Sequence, residues 1–263
     1  MAAEPQENKI AVYWDFDNIH ISVKNLDKKM IKKRFKQEPR VINVQAIMEF
    51  IASYGDVSIH QAYADWTNFY NYKEDFLNYS IDLIQLYPRG SHSKNGADIR
   101  MSLDILEDLN TFPHLTHFCI LGGDSDYIGV AQKIRQRGKY IIGIGLETTT
   151  NNYFVKGCTE FKFYKTIIAK SASLDSEKVL DELKGKRDTK KTKKILVTAM
   201  RRLLNQYNTD FVYKAQLKPM IRRLDNRFDE GNYGYRTFTE FINSHSSVLD
   251  ISEGEYDQVL KLK

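Results

Sequence analysis

Short apolar runs alternate with segments of helical spacing from Lys9 to residue 167, and this pattern restricts the possible folds more than any other feature of the chain. KIAVYWDF (9–16), VSIHQAYAD (57–65), IDLIQLYP (81–88), HFCIL (117–121), KYIIGIG (139–145) and EFKFYKTI (160–167) predict strands. VQAIMEFIASYG (44–55), NYKEDFLNYS (71–80), ADIRMSLDILEDL (97–109) and YIGVAQKIRQRG (127–138) predict helices, with Ile99, Leu103 and Leu106, joined by Met101, as the apolar face of the third. The strand runs are nearly continuous in apolar residues, so both of their faces must be covered. That requirement predicts an α/β class, with a mostly parallel sheet sandwiched by helices.

Past residue 170 the pattern changes. Residues 171–194 read as a linker that turns very basic from Lys184, with a helical start at Ser176–Leu183. From 195 a second, smaller domain is expected: helices at 195–207, 212–225 and 235–245, then two strands around the EGE of residues 253–255. Pro219 marks a break or a new first turn in the second of these helices. Three helices and a hairpin make a winged-helix type of unit, giving domains at 1–170 and 195–263.

Composition narrows the function classes. Hydrophobic residues make up 42% of the 263, which suits a globular chain rather than a disordered one. No apolar run approaches the ~20 residues of a membrane helix, and the opening MAAEPQENK lacks a secretory pattern. Cys119 and Cys158 stand far apart in sequence, so buried thiols in a reducing cytoplasm are expected rather than disulfides or a zinc site. The net charge of +5 is uneven: from Lys184 onward there are 17 Lys and Arg against 10 Asp and Glu. A basic tail suits an anionic polymer as partner.

Carboxylates gather where such a sheet places its ligands, beyond the carboxyl ends of the strands. Asp15 and Asp17 follow the first strand, with Asn18 behind them; Asp124 and Asp126 follow the fourth, around Ser125; Asp98 opens a helix that leads into the fourth strand. If strands one and four are neighbours, these acids share one edge. Acids crowded in a low-dielectric cleft need compensation, and a divalent cation held by oxygen ligands supplies it; Mg²⁺ or Mn²⁺ fits such donors. Asp104 lies six residues beyond Asp98, about 600° around a helix, and is expected in a supporting role. The plainer reading is that Asp124 or Asp126 caps the helix that follows.

Weaker motifs surround this group. YPRGSHSKNGAD (87–98) places Arg89, His92 and Lys94 in a glycine-containing loop before Asp98, either as phosphate contacts or as solvated side chains. KNLDKKMIKKRFK (24–36), with Lys32, Lys33 and Arg34, could hold a nucleic-acid backbone or simply face solvent. Tyr63, Trp66, Phe69, Tyr70 and Tyr72 could stack on bases, although core packing suits most of them better.

VYWDFDNI, KNGADIRMSLDILEDL and ILGGDSDYIGVAQKIRQRGKYIIGIG resemble, in order and spacing, the signature blocks of the NYN domain family, relatives of the PIN-type ribonucleases. The resemblance spans Lys9 to Thr166 and implies a PIN-like sheet, an Mg²⁺- or Mn²⁺-dependent ribonuclease and a site built on Asp15, Asp98, Asp124 and Asp126, with Asn18 matching the asparagine after the first acid block. The family's Lys-Gly run stands here as Lys94-Asn95-Gly96, with an extra residue. NYGYRTFTEFINSHSSVLDI, within Ile195 to Leu260, resembles the LOTUS (OST-HTH) family, which implies binding of RNA and of protein partners. Two alternatives stand beside the ribonuclease. One is an RNA-binding adaptor without catalysis. The other is a haloacid-dehalogenase-like phosphatase with Asp15 as nucleophile and Asp17 as acid; Asn18 and Ile19 depart from that family's pattern.

Overall fold

In the computed structural model, which describes residues 7–26, 38–87, 96–172, 189–254 and 257–263, the chain forms two units, Met1–Ile168 and Ala169–Lys263. The first is built on β1 (Lys9–Asp15), β2 (Asp56–Ala64), β3 (Asp82–Gln85), β4 (His117–Leu121), β5 (Tyr140–Gly145) and β6 (Glu160–Phe163). All pairings are parallel, in the order β3-β2-β1-β4-β5-β6. Strands one and four are therefore neighbours, and the sheet's switch point lies between them.

The period of two decides which core each β1 side chain enters. Ile10, Val12 and Trp14 point into one apolar cluster, with Cys119 and Leu121 of β4 beside them. Ala11 and Tyr13 point into the other, with Phe118 and Ile120. Asp15 continues the odd positions, and with it the alternation carries a carboxylate toward the second face. That face is covered by α4 (Gly96–Thr111) and α5 (Ile128–Gln136). The first face is covered by α1 (Phe16–Lys24), α2 (Val44–Ala52) and α3 (Lys73–Asn78).

Several sequence expectations need correction. The inward face of α4 is Met101, Ile105 and Leu109, whereas Ile99 and Leu103 are each 59% exposed. The last predicted strand ends at Phe163; α7 (Tyr164–Ala172) takes over, and α6 (Asn152–Gly157) was not foreseen. The aromatic group, by contrast, packs mostly in the core as expected: Tyr63, Phe69 and Tyr72 are buried, Trp66 is half-buried and only Tyr70 is widely exposed. Phe16 is the hub of that cluster, with the Phe69 and Tyr72 rings at 5.0 and 4.9 Å.

In the second unit α8 begins at Thr189, earlier than expected, and runs to Tyr207. The helical start proposed at 176–183 lies outside the described residues. Helix α9 (Lys214–Leu224) passes through Pro219 without a break, and α10 is Phe238–Asn243. The expected hairpin is β8 (Leu249–Glu253) with β9 (Gln258–Leu262), joined by β7 (Val212–Tyr213) in an antiparallel sheet. Leu196, Met200, Leu217, Ile221, Phe241 and Leu260 pack its core. Gly234 at φ +74° makes the left-handed turn that brings Tyr235 onto Phe241, ring centroids 5.3 Å apart.

Candidate active site

Three element ends meet at the switch point: the last residue of β1, the first turn of α4, and the turn between β4 and α5. Asp15 is 4% exposed. Its Oδ1 accepts the Asn18 backbone N–H at 3.3 Å, and its Oδ2 accepts the Tyr127 hydroxyl at 2.8 Å. The same hydroxyl lies 2.9 Å from Asp98 Oδ1. Asp15, Tyr127 and Asp98 thus form one hydrogen-bonded group, although 112 and 29 residues separate Tyr127 from its two partners.

The electrostatics follow from burial and crowding. Loss of water pushes the Asp15 carboxyl up to about 7; the hydrogen bond from Tyr127 opposes this, and the charge of Asp98 adds to it. Asp98 is raised too, first by burial, against the Tyr127 hydrogen bond, and then by the charges of Asp124 and Asp126. Burial, followed by the charges of both acids, drives the Tyr127 phenol far above its ordinary value, so it is a hydrogen-bond donor at neutral pH.

Asp124 is half-buried and caps the short 3₁₀ turn at Ser125–Tyr127. Its Oδ1 accepts the Asp126 N–H at 3.4 Å and the Ser125 hydroxyl at 3.1 Å. Asp126 and Ser125 are exposed. Gly122 and Gly123 let this turn approach closely. A Cβ on Gly122 would meet Asp15 Cβ and Tyr127 Cε2, each at 3.3 Å, and one on Gly123 would meet Thr150 Oγ1 at 2.8 Å.

Two expected supporting acids lie in other networks. Asp17 Oδ2 accepts the Asp65 N–H at 3.2 Å, tying α1 to the end of β2, and burial raises its pKa. Asp104 accepts the Tyr63 hydroxyl at 2.8 Å and pairs with Arg100 at 2.9 Å. Asp108 accepts from Tyr13 at 2.8 Å. Buried tyrosines of the sheet face therefore meet α4 carboxylates repeatedly. Asn18 takes part through its backbone. Lys32, Lys33, Arg34, Arg89, His92 and Lys94 lie outside the described residues.

Tyr127 is the site member that sequence reasoning missed. Its sequence signal was slight: an aromatic residue bearing a hydroxyl, directly after the second acid of GGDSDY.

The donor chemistry suits a hard divalent cation, since Asp15, Asp98, Asp124 and Asp126 offer only oxygen. Among the described residues, however, no group of three or more His, Cys, Asp or Glu side chains stands ready to hold a metal ion. Asp15 and Asp98 are joined, while Asp124 and Asp126 influence Asp98 through their charge.

Comparison with known proteins matches residues 9–169 to the NYN domain model and residues 191–260 to the OST-HTH/LOTUS domain model. No curated protein matches the chain. A crystal structure of a protein of unknown function from Vibrio parahaemolyticus is similar at 17% identity and a TM-score of 0.49, over 61% of this chain and 94% of that one.

Proposed function

Because the chain belongs to the NYN domain family, with an OST-HTH/LOTUS domain after it, we propose that it is a divalent-cation-dependent ribonuclease. The observation that carries the reading is the meeting of Asp15 and Asp98 at the sheet's switch point, with Asp124 and Asp126 close enough to perturb Asp98. Asp15, Asp98, Asp124 and Asp126 would hold Mg²⁺ or Mn²⁺. When bound, the cation would supply an activated water and neutralise charge on a phosphodiester. Asn18 and Tyr127 orient Asp15 through its two oxygens, and Ser125 orients Asp124. Lys32, Lys33, Arg34, Arg89 and Lys94 are proposed backbone contacts on sequence grounds alone.

The OST-HTH/LOTUS unit would recruit RNA or a protein partner. No described helix is long and apolar enough to cross a membrane. The buried thiols of Cys119 and Cys158 accord with a cytoplasmic setting.

The test is cleavage of a labelled mixed-sequence RNA by the full chain with Mn²⁺ or with EDTA, beside Asp124→Asn. We expect cutting in Mn²⁺, none in EDTA, and a loss of about tenfold or more in the variant. Equal cleavage by parent and variant rejects the site. One observation favours a second reading, an RNA-binding adaptor: the described acids do not form a ready-made ligand group. RNA retention in EDTA, with no cleavage in either cation, would establish that reading. The comparisons lend no support to the phosphatase.

A further inference from the structure

We propose that Tyr127 is a positioning residue for the cation site, its hydroxyl fixing how Asp15 and Asp98 face one another. The inference rests on the cation-site reading above and assigns that site a member outside its acid set.

Geometry carries the argument. Tyr127 Oη lies 2.8 Å from Asp15 Oδ2 and 2.9 Å from Asp98 Oδ1, so one atom spans the end of β1 and the start of α4. The ring that carries it is fully buried and touches Phe154, with centroids 6.1 Å apart, so the hydroxyl cannot swing away without moving the core. The missing side chain of Gly122 permits the approach: a Cβ there would press on both Asp15 and the Tyr127 ring. Asn18 holds the other oxygen of Asp15. The phenol has one proton, which it gives to one carboxylate at a time or shares between the two; each carboxylate oxygen has two lone pairs, so acceptor capacity remains on both acids. Asp15 and Asp98 also lie within side-chain hydrogen-bond reach of one another, so the buried hydroxyl acts as an anchored third member that fixes their orientation rather than as a spacer between them. Groups that orient ligating carboxylates in this way typically change metal affinity by about 10–100-fold when removed.

Tyr63 is an internal control. It is another buried tyrosine whose hydroxyl meets an α4 carboxylate, Asp104 at 2.8 Å, but it lies in a different network. The experiment measures Mn²⁺ affinity by electron paramagnetic resonance on the full chain at fixed pH, for the parent, Tyr127→Phe and Tyr63→Phe, with thermal melts alongside. Both variants keep the ring and so the packing. We expect Tyr127→Phe to bind Mn²⁺ at least about tenfold more weakly, with Tyr63→Phe unchanged and both melting close to the parent. Equal or tighter binding by Tyr127→Phe overturns the inference and leaves the cation site standing. Equal weakening in both variants also overturns it, because general loosening then explains the loss. A parent that binds no Mn²⁺ rejects the cation site itself, and the inference with it.

Discussion

The Asp15 carboxylate accepts the Asn18 backbone N–H at 3.3 Å, so one side chain both caps α1 and belongs to the acidic group at the sheet edge. For Asp124 and Asp126 the sequence leaves cap and ligand as competing readings. At Asp15 the two roles use different oxygens, and at Asp124 capping and membership of the acidic group coincide as well.

That dual role separates two substitutions. Asp15→Asn keeps a capping acceptor and removes a carboxylate whose ionisation burial opposes. Its melting temperature without divalent cations should equal or exceed the parent's at pH 7.5, while RNA cleavage is lost. Asp15→Ala also loses the cap and should cost a further ~0.5–2 kcal/mol in a denaturant titration. Cleavage by Asp15→Asn at the parent's rate would remove Asp15 from the site.

His60 should make the fold sensitive to acid. Its ring is buried, Nε2 accepts the Trp14 indole N–H at 2.8 Å, and burial lowers its pKa from 6.5 to about 4. The unfolded chain therefore takes up a proton near pH 6.5 that the folded chain refuses until about pH 4. This contribution is fully present above pH 6.5 and declines as pH falls through that window, by on the order of 3 kcal/mol. Urea unfolding of the parent and of His60→Gln at pH 7 and pH 4.5 checks it: the parent should lose more stability between the two. Parallel losses would show that His60 titrates normally.

Helix α4 offers a test of its buried face. Ile105 is fully buried, and Ile105→Ala should cost about 2–5 kcal/mol. Leu103 is 59% exposed, and Leu103→Ala should stay within about 0.5 kcal/mol of the parent. Chemical denaturation of the two variants decides between this face and the one that the apolar spacing suggested.

The α4 case shows where sequence reading stops. Ile99, Leu103 and Leu106 recur at helical spacing as well as Met101, Ile105 and Leu109 do. Periodicity finds the helix but cannot rank two apolar stripes, because the choice depends on what lies beneath. Here the sheet presents tyrosine hydroxyls that need acceptors, and Tyr13 and Tyr63 pair with Asp108 and Asp104 on the flank of the stripe that is buried. Similarly, Pro219 disrupts an isolated helix, yet α9 continues through it with Leu217, Met220 and Ile221 buried on either side. Core contacts outweigh the local penalty there.

The sequence by itself determined the α/β alternation, the two-part organisation, the family resemblance and the acids at the strand ends. These follow from local spacing and residue type, which every stretch of chain carries with it. Only the tertiary structure decided which acids meet. It joined Asp15 to Asp98 through Tyr127 and drew Asp17 away to Asp65 and Asp104 to Tyr63. The physical reason is that a hydrogen bond reaches about 3 Å, whereas the partners lie tens of residues apart. Strand order and the pitch of α4 bring them within that reach, and neither can be read from any one segment.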